Sequence, residues 1–292
     1  MRKETSSIIL LLLSTFNQSV VSFSSLLNGP TTGKVQKKAS SLFSSEVDVE
    51  KDEKSLTLEN PRLEGLAFML DDGTRKSHSM AENTAFVTGF FKGLSTQSSY
   101  KNLLTSLYFI YSAMENAFDT CKIEEVQCLD DKELRRVNAI SMDMAYFYGD
   151  DWKNNVGTPT YSTQKYVNRI EEIARDKPYL LIAHQYTRYL GDLFGGQMMA
   201  GMASRSLDLE KGKGVSFYEF DGIVSTKDYI SNWYTRLNLL ELTEVQKQEI
   251  VDEANLVFAL NIGIFEELEG SPLKAVWTIM IASLKDKLNS II

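Results

Sequence analysis

The chain has 292 residues, 43% of them hydrophobic, enough to bury a sizeable core. Its net charge of −8 is uneven: residues 1–45 hold five Lys/Arg and one Glu, leaving 26 Lys/Arg against 38 Asp/Glu in the remainder. A body that acidic argues against nucleic acid as a partner. With no run of roughly 18 apolar residues, no membrane anchor is expected in the mature chain.

The N-terminus differs in kind from the rest. Arg2 and Lys3 precede the apolar run Ile8 to Leu13 and then small residues to Ser22, the layout of a signal peptide over residues 1–22. From Phe23 to Ser45 the chain is rich in Ser and Thr, carries Lys34, Lys37 and Lys38, and has no acid. A charged stretch, Glu46 to Glu59, follows. Residues 23–61 therefore read as a transit-like and charged flexible leader. The pair of segments resembles the two-part address of plastids with extra membranes, with Phe23 as the aromatic after signal cleavage. The expected destination is a plastid.

Residues 62–292 read as one helical domain. Apolar residues recur at helical spacing along nearly all of it. Two helices are predicted from Leu63 to Phe91, with a bend at Asp71 to Thr74. Long helices follow at "SYKNLLTSLYFIYSAMENAF" and "KELRRVNAISMDMAYFYG", the second ended by Gly149. "STQKYVNRIEEIARD" stops before Pro178. "YLLIAHQYTRYLGDLFGGQMMAGMASRSL" is a glycine-bearing helix. "GVSFYEF" alternates weakly like a strand. "TKDYISNWYTRLNLLEL", "EVQKQEIVDEANLVFALNIGIFEELEG" and "PLKAVWTIMIASLKDKL" complete an all-α bundle with one or two long central helices. Cys121 and Cys128 are too few for a disulfide scaffold, and with two histidines in the chain they do not make a zinc site; two surface thiols in a loop are expected, with a local regulatory disulfide as the alternative.

Function concentrates where a sequence breaks local rules. "RYLGDLFGGQMMAGM" carries Gly191, Gly195, Gly196 and Gly201, each costing a helix about 1 kcal/mol relative to alanine. Two explanations stand. Small residues let helices pack closely, with Asp192 facing water. Alternatively, something flat lies against the backbone where a Cβ would collide. Gly191 and Gly195, i and i+4, share a face, with Asp192 beside it. His78 is the second signal. Glu82 lies one turn on, where a carboxylate can orient an imidazole and raise its basicity. One imidazole without a second His or Cys suits haem iron better than zinc; the bland alternative is a surface i,i+4 pair. His184, in an apolar run, reads as a hydrogen-bonded core histidine.

The ordered strings "GTRKSHSMAEN", "LYFIYSAME", "AHQYTRYLGDLFGGQ" and "EANLVFALNIGIFEELEG" together resemble haem oxygenase, from about Leu66 to Gly270, with the cyanobacterial and plastid-type branch most similar. The resemblance implies an all-α domain that sandwiches haem between a proximal helix and a glycine-kinked distal helix. It makes His78 the iron ligand and Glu82 its partner. It lays the backbone of Gly191, Gly195 and Gly196 over the porphyrin, and makes Asp192 the holder of a water network beside the O2 site. Arg188, Tyr111, Tyr166 and Asn261 match other members of that network, and Tyr186 and Arg75, with Lys227 and Arg236, are candidates to stand in for basic haem contacts that this sequence lacks. The implied reaction converts haem to biliverdin, CO and ferrous iron with O2 and electrons from a reductant such as reduced ferredoxin. Arg75, Lys76 and Lys92 are candidates for meeting that acidic donor.

The pattern departs from the family where haem carboxylates normally meet Lys or Arg. The family's basic residue seven positions before the proximal histidine is Asp71 here, and two further basic positions are Ile230 and Tyr234. Phe194 stands where a small residue is common. These departures keep open an alternative, a non-catalytic paralogue that binds haem or another tetrapyrrole without turnover.

Overall fold

A computed structural model describes residues 60–91 and 96–268, and these are helical throughout, with no strand among the described residues. The leader and the helix expected from Pro272 lie outside the described residues, as does Lys92. Eight main helices build the fold: α1 (Gly65–Glu82), α2 (Ala85–Phe91), α3 (Gln97–Thr120), α4 (Val137–Tyr148), α5 (Tyr161–Asp176), α6 (Gly191–Ser206), α7 (Thr226–Asn238) and α8 (Glu244–Leu268). None of the described helices is long and apolar enough to cross a membrane.

Local chemistry sets the boundaries. Thr96, Thr160 and Ser225 accept from the backbone N–H groups of Ser99, Thr163 and Asp228, capping α3, α5 and α7. Gly149 ends α4 at φ 85°, a conformation that glycine adopts without a Cβ clash. The two long central helices are α3 and α8. Tyr100, Leu104, Ile110, Tyr111 and Met114 of α3 are fully buried, as are Ile250, Ala254 and Val257 of α8.

Four expectations need correction. First, α1 runs unbroken through Asp71 to Thr74, and the bend falls at Asn83 and Thr84. There the side chains of both residues donate to helix carbonyls, Asn83 Nδ2 to that of Ser79 (2.7 Å) and Thr84 Oγ1 to that of Ala81 (3.0 Å). Gly73 is a packing residue: a Cβ on it would stand 2.6 Å from Val251 of α8. Second, the strand-like "GVSFYEF" contains a 3-10 turn, Ser216–Tyr218, because the buried Asp143 carboxylate accepts from the N–H groups of both Ser216 (2.9 Å) and Phe217 (2.8 Å).

Third, α4 starts at Val137 rather than near Lys132. The Glu115 carboxylate of α3 accepts from the N–H groups of Arg136 (2.6 Å) and Val137 (2.9 Å), and so caps it from outside. Fourth, the glycine-bearing helix is not uniform. A short α-helix, Leu181–His184, passes into a π-helical stretch, Gln185–Leu190, before α6 begins at Gly191. The irregularity expected at Gly195 and Gly196 falls just ahead of the glycines.

His184 is a core residue. Its Nε2 lies 3.2 Å from Glu253 Oε1, and Arg169 reaches the same carboxylate through Nε (3.0 Å) and Nη2 (2.5 Å). Burial opposes the charge on Glu253, but the hydrogen bonds from His184 and Arg169 outweigh it and hold the carboxyl below its usual range. A depressed carboxyl stabilises the fold above its unfolded pKa, and that stability is lost as pH falls through the folded value. Glu253→Ala is therefore expected to cost about 3 kcal/mol at neutral pH by urea unfolding. Its deficit relative to the wild type should narrow as pH falls below the ordinary value of 4.5.

Candidate haem site

His78 projects from α1 with 57% of its side chain exposed. Its Nδ1 lies 3.6 Å from Glu82 Oε1, in ion-pair range but long for a hydrogen bond. With Nδ1 turned to Glu82, Nε2 is the ring nitrogen left to ligate a metal. The ring stands edge-on to Phe258 of α8, centroids 5.5 Å apart. The α1–α8 contact that aims it is tight: Ser77 Oγ donates to Asn255 at 2.5 Å, and Asn255 Nδ2 donates to the Gly73 carbonyl at 3.1 Å.

One turn along α8 from Phe258, Asn261 Oδ1 accepts from Arg188 Nη1 at 3.0 Å. Arg188 comes from the π-helical stretch and is buried, 9% exposed. Its Nη2 donates to Asp192 Oδ2 at 3.1 Å, and the Tyr111 hydroxyl donates to the same oxygen. The Tyr111 ring also faces the Arg188 guanidinium at 5.5 Å. Tyr166 is fully buried beside His184, with its hydroxyl close to Asn261 and Arg188. One helix, α8, thus carries both the aromatic neighbour of His78 and the amide that holds Arg188.

The electrostatics of this cluster are self-supporting. Burial works against the Arg188 charge, but Asp192, Tyr111 and Tyr166 raise its pKa above the usual arginine value and keep it protonated. Burial pushes the Asp192 carboxyl above its ordinary range, while Arg188 and Tyr111 pull it back part of the way. Burial drives the Tyr111 hydroxyl well up, so it remains a donor at neutral pH. The Asp192 carboxylate is turned to Arg188 and Tyr111, with 16% of its side chain exposed.

The glycines divide into two kinds. A Cβ on Gly196 would meet Tyr218 at 3.4 to 3.5 Å, about van der Waals contact, so this glycine faces a packed neighbour. A Cβ on Gly191 or Gly195 would meet nothing within 4 Å. Protein packing does not require glycine there, and both lie on one face of α6. Phe194 is 52% exposed and does not fill the space over either. Among the described residues no three His, Cys, Asp or Glu side chains gather as a metal site. A metal bound by His78 would need most of its ligands from a prosthetic group, which is what a porphyrin supplies. The residues present fit haem.

Other expected contacts lie elsewhere. Arg75 is exposed and paired with Asp72 at 3.0 Å. Tyr186 lies beside Thr74, Asp71 and Arg62. The sequence did not single out Arg62, which grips Asp71, because nothing in a nine-residue spacing across two elements signals it. Nor did it single out Arg136, whose guanidinium holds the carbonyls of Leu134, Phe217 and Glu219 behind the Asp192 cluster.

A lone, exposed imidazole and a glycine-faced helix with a buried Arg–Asp pair, joined through one long helix, define an all-helical haem protein. Residues 64–267 match the family model described as Heme oxygenase. The haem oxygenase of Guillardia theta is 41% identical over 76% of this chain and 95% of its own, and that of Porphyra purpurea is 41% identical over 75% and 93%. Among solved structures, haem oxygenase-1 of the cyanobacterium Synechocystis sp. PCC6803, in complex with haem, superposes with a TM-score of 0.68. It is 40% identical and covers 76% of this chain and all of that one. The chain belongs to the haem oxygenase family of enzymes.

Because no neighbour restrains Gly191 or Gly195, Gly191→Ala and Gly195→Ala should each stabilise the haem-free protein by about 1 kcal/mol, the helix propensity gained. Denaturant unfolding checks this; a loss of stability at either position would show that the backbone there needs glycine for the fold itself.

Proposed function

We propose that this chain oxidatively cleaves haem to biliverdin, CO and ferrous iron, using O2 and electrons from a reductant such as ferredoxin. The observation that carries the reading is the buried cluster of Arg188, Asp192, Tyr111 and Asn261, tied through one turn of α8 to the ring that packs on His78. Family membership and relatives named haem oxygenase support it. Bound haem would supply both the iron that takes O2 and the porphyrin edge that is oxidised.

The chain's own residues do the rest. His78 Nε2 would ligate the iron, and Glu82, in ion-pair range of Nδ1, would orient the ring and raise its basicity on closing to hydrogen-bond distance. Gly191 and Gly195 would let a porphyrin lie against the α6 backbone, and Gly196 lies against Tyr218 on that helix. Asp192 Oδ2 is committed to Arg188 and Tyr111. Its Oδ1, 3.4 Å from Arg188 Nη2, is the less engaged oxygen and the atom that holds a proton-donating water. Asn261 and the Tyr111 ring keep the Arg188 guanidinium from swinging. Exposed Arg75 and Lys76 beside His78 offer a basic meeting point for an acidic electron donor. A plastid is the proposed location, supported by the algal and cyanobacterial relatives and by the leader sequence.

The alternative, haem binding without turnover, draws on Asp71, Ile230 and Tyr234 at positions where the family pattern is basic. Hemin titration of the full-length chain separates the readings. The wild type should give a saturable, near-stoichiometric Soret change that His78→Ala alters. Asp192→Asn should still bind hemin, while its ferredoxin-driven biliverdin yield falls about a hundredfold. Binding indifferent to His78 would overturn the site assignment; wild-type binding without biliverdin would favour the non-catalytic paralogue.

A further inference from the structure

Arg62 sits on a short 3-10 turn, Pro61–Leu63, just before α1. The turn is fixed from outside. Asn238 of α7 donates through Nδ2 to the Pro61 carbonyl (2.7 Å) and accepts through Oδ1 from Ala67 N–H (2.9 Å). Gly65 allows this approach: its φ is +51°, and a Cβ there would stand 2.8 Å from Asn238 Oδ1. From this anchored turn Arg62 directs Nε (3.1 Å) and Nη2 (2.5 Å) onto a single oxygen of Asp71, Oδ1.

Asp71 precedes His78 by seven residues, two turns of α1, so the two lie on one face about 10 Å apart along the axis. Two phenols from other elements join the pair. Tyr186 of the π-helical stretch and Tyr234 of α7 each interact electrostatically with both Arg62 and Asp71. Burial keeps both hydroxyls protonated, hence donors. Ile230, one turn before Tyr234, adds no charge. Arg75 is occupied by Asp72 on the outside of α1. The result is one cation whose Nη1 is uncommitted among the described residues, with two phenol donors beside it. All stand at the end of α1 remote from Glu82.

We propose that Arg62 is the carboxylate anchor of this cleft, aimed by Asp71, with the Tyr186 and Tyr234 hydroxyls donating to the same ligand carboxylate. The inference rests on the cleft being a haem site, since haem carries two carboxylates on one edge. Asp71 then has two effects. It holds the guanidinium in one orientation, which lowers the entropy lost on binding. It also cancels the local charge, so the carboxylate is gripped by directed hydrogen bonds rather than by a net positive field. Because biliverdin keeps both carboxylates, a charge-cancelled anchor also holds product less tightly than a row of lysines would.

The test is a pair of Soret titrations on the full-length chain, with hemin and with its bis-amide, in which both carboxylates are uncharged. Arg62→Ala should weaken hemin binding about tenfold and leave the bis-amide within about twofold. Tyr234→Phe, which removes one hydroxyl and preserves the packing, should show a smaller loss confined to hemin. Asp71→Asn, which keeps the accepting oxygen that aims Arg62 and removes only the charge, should tighten hemin and leave the bis-amide unchanged. Equal weakening of both ligands by Arg62→Ala would assign Arg62 to the fold alone, and no weakening of either would place the carboxylates elsewhere; each result overturns the inference. A wild type that binds neither ligand would remove the haem reading, and this inference with it.

Discussion

A guanidinium taken out of water must be met on every side, and Arg188 sets that requirement at the centre of this protein. Asp192 supplies the counter-charge one helical turn away, Asn261 supplies a carbonyl oxygen from α8, and Tyr111 supplies a ring face from α3. Each partner comes from a helix whose own placement is fixed elsewhere. Glu115, one turn beyond Tyr111, caps α4; Asn255, six residues before Asn261, binds α1. The buried charge therefore works as a keystone: α3, α6 and α8 must be in register for it to be tolerable. Removing one partner would leave an uncompensated charge, a loss of several kcal/mol.

The same arrangement separates rigidity from access. Around Arg188 the charged groups are paired and largely buried. On the other side of α6, Gly191 and Gly195 present bare backbone, and on α1 His78 is more than half exposed. A large flat ligand needs this combination. The surfaces it covers must be free of side chains, and the groups that act on it must already be held in place before it arrives, because ordering them afterwards would be charged against binding.

Much of this was legible in the sequence, for identifiable reasons. Helical periodicity gave the bundle, since α1, α2, α4 and α5 each pack an apolar face on α3 or α8. The glycines, Asp192 and His78 stood out because each breaks a local preference. What the sequence hid depends on contacts distant along the chain. The Asp143 carboxylate that turns "VSFY" into a 3-10 segment lies 73 residues away from Ser216. The Val251 contact that makes Gly73 a packing residue, and not a bend, is likewise remote. Arg62 was invisible because its partner is set by the anchored turn before α1. The loss of basic residues at Asp71, Ile230 and Tyr234 could be read directly, but the guanidinium standing over Asp71 could not.

The π-helical stretch from Gln185 to Leu190 holds a further consequence. A π turn accommodates one residue more than an α-turn, so the faces beyond it are rotated by about 100° relative to an uninterrupted helix. His184 lies before it, turned into the core towards Glu253; Gly191 lies after it, turned towards open space. Chain length, as distinct from residue identity, decides which side of α6 is bare. Shortening the stretch by one residue would leave every glycine in the sequence and still turn the bare face away from its present direction, taking Asp192 out of line with Arg188 as well.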